Sequence, residues 1–290
     1  MAAIDTHSLE KTYANGVRGL APLDLMVEEG EIFAILGPNG AGKTTTVRLL
    51  NGTLQPSGGG CHVWGFDAMD QKARALSATM SEEALMYDRM SFRDNLVFYG
   101  ALYGISSSES TLRAQELALQ FHLETRLGDG VGTFSTGMKK RANLARCLIH
   151  RPKVLFLDEP TSGLDPQASR EVMEYIAQLA KQEGVTVFLC THNLTQVESW
   201  CTRIGFIKNG SLVAVGTRQE LLQPLLGPPR VLITASRKGQ VVTEEHPVPE
   251  PDSINLLVHA AIKRGDFIQQ ITPVEPDMEA VYQHYIGGVQ

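Results

Sequence analysis

The chain is short of the features that would mark an oxidised, membrane-spanning or nucleic-acid-wrapping protein. Only four cysteines occur in 290 residues. Cys61, Cys147, Cys190 and Cys201 show no CxxC spacing and lie inside apolar segments. They read as small buried hydrophobes, which excludes a disulfide framework or a thiolate metal centre. No apolar run reaches the roughly 18 to 20 residues that a spanning helix needs. The strongest, Leu96 to Ile105, is interrupted by Gly100 and Gly104. The opening MAAIDTHSLEK has no cationic start ahead of an apolar stretch, so no secretory signal is expected and the protein is expected in the cytoplasm. An excess of positive charge is also missing: the net charge is −6, and a broad basic surface for nucleic acid is not expected. A long internal repeat is lacking as well. What remains is an ordinary composition, 43% hydrophobic, sufficient for one large domain or for a large domain with an appendage.

The most informative stretch is Gly30 to Thr46, GEIFAILGPNGAGKTTT. Ile32, Phe33, Ala34, Ile35 and Leu36 form an unbroken apolar run, as in a strand covered on both faces. Gly37, Gly42, Lys43 and Thr44 then fill GxxxxGK[ST], with Pro38, Asn39, Gly40 and Ala41 between them and Thr45 after. The spacing has a chemical reason. Glycines let successive backbone N–H groups turn toward anionic oxygens, the lysine reaches the β- and γ-phosphates, and the threonine hydroxyl ligates Mg²⁺. A helix opening at Gly42 adds the positive end of its dipole. With glycine near about 7% of residues, chance yields this pattern in about one sequence of this length in a hundred. A nucleoside triphosphate is therefore the expected ligand.

The rest of the chain supplies candidate partners for that ligand. Leu23, Leu25 and Val27 alternate as in a strand. Tyr13, in KTYANG, could stack on a base or cap a small core, and the segment alone favours the core. Pro56 to Gly60 reads as a break, and Cys61 to Trp64 as a short strand. Residues 67–150 read as mostly helical, with Ala114, Leu117, Ala118 and Phe121 at helical spacing after Ser106 to Ser108. Ser135 is placed to cap the helix that carries Leu144, Cys147 and Leu148 on one stripe, with Lys139, Lys140 and Arg146 read as lying off it. A capped helix accounts for Ser135, yet its hydroxyl, Gly137 and the helix N-terminus also suit a phosphate. Lys153 to Asp158 is a second buried strand that delivers Asp158, suited to the Mg²⁺ shell, and Glu159, suited to orient and deprotonate a water. Asp165 reads as an N-cap ahead of Pro166, which by itself gives it no functional claim. Strand Val185 to Cys190 brings Thr191 and His192 to the same sheet edge, where His192 could meet the γ-phosphate.

In that order and at those separations GPNGAGKTT, FSTGM, LFLDEPTSGLD and THN resemble the ATP-binding subunit of an ABC transporter, over residues 3–218. FSTGM resembles the signature that separates this family from other P-loop NTPases. The resemblance implies an α/β P-loop cassette, with a RecA-like core, an N-terminal antiparallel β subdomain and a helical subdomain over about 82–150. Two copies would pair head to tail, each ATP held between the phosphate loop of one and the signature of the other. Tyr13 then corresponds to the adenine-stacking aromatic, Gly37 to Thr45 to the phosphate loop, Asp158 to the magnesium-side aspartate and Glu159 to the general base. Asp165 corresponds to the residue communicating across the dimer, Ser135 and Gly137 to contacts with the partner's ATP, and His192 to the γ-phosphate switch. Lys43 joins Glu159 and His192 as catalytic, and Thr44, Asp158 and Glu82 are the expected metal residues.

Two departures stand out. Glu82, within MSEEALMYDRM, takes the place where the family usually carries glutamine, which adds negative charge near a triphosphate; Glu83 is the alternative position. Thr136 and Met138 replace the commoner glycine and glutamine of the signature. The domain expectation is an ATP-binding domain over 1–220, a linker over 221–230 around PLLGPP, and a small α/β extension over 231–290. That extension is read as strands Val231 to Ser236 and Asp266 to Ile271 with helices Ser253 to Lys263 and Met278 to Tyr285. Its ending, PDMEAVYQHYIGG, is similar to the tail of subunits that serve exporter-type permeases made as separate polypeptides. The implied function is ATP hydrolysis, with Mg²⁺, on the inner face of the membrane to drive a permease; a ribosome- or DNA-directed ABC ATPase is the alternative.

Overall fold

The computed structural model describes residues 2–81, 86–237, 239–248, 250, 252–274 and 276–287. Contacts divide the chain into two compact units, one up to Thr217 and one from Arg218 onward.

The first unit opens with a hairpin of two long strands, β1 (Ala2–Thr12) and β2 (Arg18–Glu28), followed by β3 (Ile32–Leu36) and α1 (Lys43–Leu50). Next come β4 (Gly58–Val63), β5 (Phe66–Asp67), α2 (Gln71–Ala75) and β6 (Ser77–Met80). The helical segment holds α3 (Phe92–Leu102), α4 (Ser107–Gln120) and α5 (Thr136–Leu148). The chain returns through β7 (Val154–Asp158), α6 (Pro166–Glu183), β8 (Thr186–Cys190), α7 (Leu194–Trp200), β9 (Arg203–Lys208) and β10 (Ser211–Gly216).

Two sheets result. A four-stranded antiparallel sheet runs β2-β1-β4-β5, and a six-stranded sheet runs β10-β9-β3-β8-β7-β6. In the larger sheet only β10 is antiparallel, pairing with β9; the other five strands are parallel. All residues of β3 and β8 are buried, as strands covered on both faces require. Phe33 and Phe156 pack on Phe188 with ring centroids 5.4 and 6.1 Å apart, and one continuous core joins this sheet to Leu9, Leu20, Leu23, Leu25 and Val27 of the hairpin.

Three local readings change. Gly58 to Gly60 lie in β4 rather than in a break, because β4 pairs with β1 through Gly58, Gly60 and Cys61. Glycine there tolerates a backbone approach that side chains would not: a Cβ on Gly59 would lie 2.1 Å from the Ser8 carbonyl oxygen. Within the stretch read as helical, Ser77–Met80 forms the edge strand β6 along β7. Lys140 is buried rather than off the packed face of α5. It stands four residues before Leu144, and i,i+4 neighbours share a helix face. Three of the cysteines are buried and Cys201 is half-buried; burial pushes the Cys61 and Cys201 thiols up to about 12, so both stay protonated at neutral pH.

The second unit comprises α8 (Arg218–Leu222), β11 (Arg230–Arg237), β12 (Gln240–Pro247), α9 (Asp252–Lys263), β13 (Phe267–Val274) and α10 (Met278–Tyr285). The division precedes the expected linker because α8 packs with α10, burying Leu221, Leu222, Met278 and Val281. β11 is the centre of an antiparallel β12-β11-β13 sheet. β12 is absent from the sequence reading: it is an edge strand of alternating exposed and half-buried residues, rich in charge, and lacks an apolar run. Val231, Ile233 and Val248 form a small core with Ile254, Leu257 and Ile268.

Beside that core Arg237 grips Asp266 with two hydrogen bonds of 2.8 Å and reaches Glu244 at 3.0 Å, while Arg264 lies 3.3 Å from Asp266 and His246 lies 3.6 Å from Glu244. The Asp266 side chain is only 1% exposed. Hydrogen bonds from Arg237 hold both carboxyls below their ordinary range. A carboxyl with a depressed folded-state pKa stabilises above its unfolded value, about 4, and loses that contribution as pH falls through the folded value. Asp266→Asn is therefore expected to lower the melting temperature at neutral pH, by an amount that shrinks as calorimetric scans move below about pH 4. A difference that stays constant down to about pH 3 would contradict this origin.

Candidate active site at the carboxyl edge of the parallel sheet

β3 runs into a loop whose shape depends on two missing side chains. A Cβ on Gly37 would lie 2.3 Å from the Ile207 carbonyl oxygen, so the loop can leave the strand only past a bare Cα. Gly42 has φ +110, and a Cβ there would lie 2.6 Å from the Gly19 carbonyl oxygen. Gly42 also caps α1 without any side-chain hydrogen bond. The first-turn N–H groups of α1 are thus presented at a helix N-terminus with no capping oxygen, an arrangement suited to an anion.

Lys43 folds back over this loop, its Nζ donating to the carbonyls of Gly37 at 2.6 Å and Pro38 at 3.1 Å. The Thr44 hydroxyl donates to Asp158 Oδ2 at 3.3 Å. Asp158 ends β7, two strands away from β3, and β8 lies between them with Cys190 level with both Asp158 and Ile35. A hydroxyl and a carboxylate converging beside an anion site are hard oxygen donors of the kind Mg²⁺ takes, and they leave its other positions to phosphate oxygens and water. Among the described residues no cluster of three or more His, Cys, Asp or Glu side chains could hold a metal. Glu82 and Glu83 lie outside the described residues.

Glu159 follows with φ +48, a left-handed conformation unusual for a residue with a Cβ. Its N–H donates to the Cys190 carbonyl at 2.9 Å. Its carboxylate is gripped on both oxygens: the Thr191 hydroxyl donates to Oε2 at 3.3 Å, and His192 Nδ1 lies 2.7 Å from Oε1. Thr191 is fully buried and its hydroxyl also accepts the Asn193 N–H at 3.1 Å, which fixes the direction of its own proton. Glu159 is 16% exposed and His192 75% exposed. The structure thus puts His192 on Glu159, with its ring largely open to solvent.

A cleft of about 290 Å³ gathers Tyr13, Gly19, Asn39, Lys43, Thr44 and Glu159 among its lining residues. Tyr13 stands in the β1–β2 turn, its N–H bonded to the Val17 carbonyl at 2.9 Å, and its hydroxyl lies 3.0 Å from Thr45 Oγ1. Its ring lies against Gly19, where a Cβ would come within 2.6 Å of it. Sequence reasoning missed Gly19, which carries no local signal. It placed Thr191 at this sheet edge without giving it a role, the clue being its place between a buried strand and a histidine.

Ser135, Gly137 and Asp165 do not line this cleft. Ser135 is exposed and caps α5, accepting the Met138 N–H at 3.3 Å; Thr136 is exposed as well. Asp165 caps α6 through the N–H groups of Gln167 and Ala168, both at 3.0 Å. The FSTGM segment is thus on the surface of its own chain, with only Phe134 buried.

Residues 20–162 match the ABC transporter family profile. The linearmycin resistance ATP-binding protein LnrL of Bacillus subtilis is 34% identical over 80% of this chain and 75% of its own length. The chain belongs to the ATP-binding subunits of ABC transporters. The daunorubicin resistance ATP-binding protein DrrA3 of Streptomyces coeruleorubidus is 36% identical and covers 98% of this ABC subunit and 96% of itself, so the similarity extends through the second unit. Among solved structures, one described as an ATP-binding subunit of an ABC transporter aligns with a TM-score of 0.71 at 28% identity, covering 77% of this chain and 93% of its own. The protein is thus an ATP-binding and ATP-hydrolysing ABC subunit that drives a transmembrane permease. Among its described residues no helix is long and apolar enough to cross a membrane.

The geometry makes the loop's tolerance measurable. Gly37→Ala is expected to lower stability by about 1 to 3 kcal/mol, since the Ile207 backbone must yield to the new Cβ. Affinity for ATP should fall at least about tenfold, or about 1.4 kcal/mol. Urea unfolding and titration with a fluorescent ATP analogue would report the two effects, and parental values in both would contradict the close packing.

Proposed function

We propose that two copies of this subunit pair head to tail on the inner face of the membrane and, with Mg²⁺, hydrolyse ATP to power an exporter whose permease is a separate polypeptide. The observation that carries the chemical part is the Glu159 carboxylate, held between the Thr191 hydroxyl and His192 beside the phosphate loop. In this reading Tyr13 stacks on adenine, and the loop from Gly37 to Thr45 cradles the phosphates. Thr44 and Asp158 would hold Mg²⁺, which when bound neutralises charge on the β- and γ-oxygens. Lys43 adds positive charge to the same oxygens. Glu159 orients a water in line with the γ-phosphorus and takes its proton as the phosphoryl group transfers. His192, hydrogen-bonded to that carboxylate, is positioned to meet both the base and the γ-phosphate.

The head-to-tail pairing has support in what the cleft leaves out. Ser135, Gly137 and Asp165 lie outside it, and the exposed hydroxyls at 135 and 136 are available to a second molecule's nucleotide. Export is supported by the resistance functions that LnrL and DrrA3 carry in their descriptions. No nucleic-acid partner enters this reading.

Two variants test it. Glu159→Gln should keep ATP affinity while turnover falls by roughly 10² to 10⁴, the usual contribution of a general base, and it should accumulate ATP-bound dimers on size exclusion. Undiminished turnover would remove Glu159 from its role. Lys43→Ala should lose nucleotide affinity, measured by equilibrium titration; parental binding would overturn the loop assignment.

A further inference from the structure

We propose that Lys140 is a positioning residue for Glu159, acting from α5 on the backbone of the base. Lys140 is only 8% exposed, and a charged side chain buried to that degree is held by polar partners. Its Nζ lies 3.3 Å from the carbonyl oxygen of Glu159, which also accepts the Ser162 N–H at 3.2 Å. The peptide on the other side of Glu159 is tied to β8 through the Glu159 N–H and the Cys190 carbonyl. Both peptide planes flanking the residue are therefore fixed, one by the sheet and one by α5.

That double hold matters because of where Glu159 sits in φ,ψ space. A non-glycine residue at φ +48 costs about 1 to 2 kcal/mol, and such conformations persist where surrounding structure over-determines them. A cationic donor on the carbonyl is a constraint of this kind. Without it the plane between Glu159 and Pro160 keeps only the Ser162 N–H, and the strained backbone at Glu159 can relax, moving the carboxylate relative to the phosphate loop. Displacement of a reacting group by about 1 Å can cost about 10² in rate. Five residues earlier on the same helix stands Ser135, so a shift of α5 reaches the carbonyl of Glu159 along one rigid element. This inference rests on the reading of Glu159 as the base.

The test is steady-state ATPase kinetics on the full chain. Lys140→Met keeps length and removes the cation, Lys140→Arg keeps a cationic donor, and Lys140→Gln offers a neutral one. Lys140→Met is expected to lower kcat about 10- to 100-fold with the KM for ATP within about twofold, and Lys140→Arg to restore most of it. Should Lys140→Met not fold, Lys140→Gln against Lys140→Arg carries the same comparison. In the Glu159→Gln background Lys140→Met should lower the residual turnover no further, because a residue that acts through the base has nothing left to position. Parental kcat in Lys140→Met, or an equal fall in both backgrounds, would overturn the proposal. Failure of the base reading shows separately, as parental turnover in Glu159→Gln alone.

Discussion

Parallel strands that finish at one edge govern everything else in this molecule. Ile35, Cys190 and Asp158 lie level across β3, β8 and β7, so whatever follows each strand emerges at the same height. The phosphate loop, the Asp158–Glu159 pair and the Thr191–His192 pair are thereby gathered without any long-range loop having to find its place. The sheet sets their separation, since neighbouring strands lie about 4.8 Å apart. Side chains then only choose rotamers within a frame that the backbone has already drawn.

The frame concentrates charge where water is scarce. Asp158 and Glu159 lie near the buried thiol of Cys190, and burial together with these carboxylates pushes that thiol well above its ordinary range. Cys190 therefore remains a neutral spacer between two functional strands. Lys43 donates to loop carbonyls and Lys140 to the carbonyl of Glu159, so both bring cationic charge close to the two acids. On the carboxylates themselves the Thr44 hydroxyl reaches Asp158, and the Thr191 hydroxyl and the His192 imidazole reach Glu159.

How much of this could be read from residues alone depended on whether the signal was local. The apolar run of β3 and the glycines after it announce a strand and a phosphate loop directly, because both are dictated by neighbouring residues. Asp158, Glu159 and His192 were legible for the same reason: each follows a short buried strand. Ser135 and Asp165 announced themselves as caps, and both do cap. Gly19 was invisible because its importance lies in contacts made across a turn with Tyr13 and, farther off in sequence, with Gly42. Lys140 was misread because charge outweighed spacing, although the i,i+4 relation to Leu144 was present. β6 and β12 escaped because edge strands are short or polar and lack the pattern that identifies central ones.

The left-handed backbone at Glu159 carries an evolutionary implication. Glycine, and to a lesser degree asparagine, would occupy φ +48 with less strain, so with Glu159 as the proposed base thermodynamic stability and hydrolysis pull this position in opposite directions. A laboratory population selected only for surviving heat would drift toward those residues at 159. It would gain a more durable cassette that, under the proposed role of Glu159, binds its nucleotide and no longer spends it.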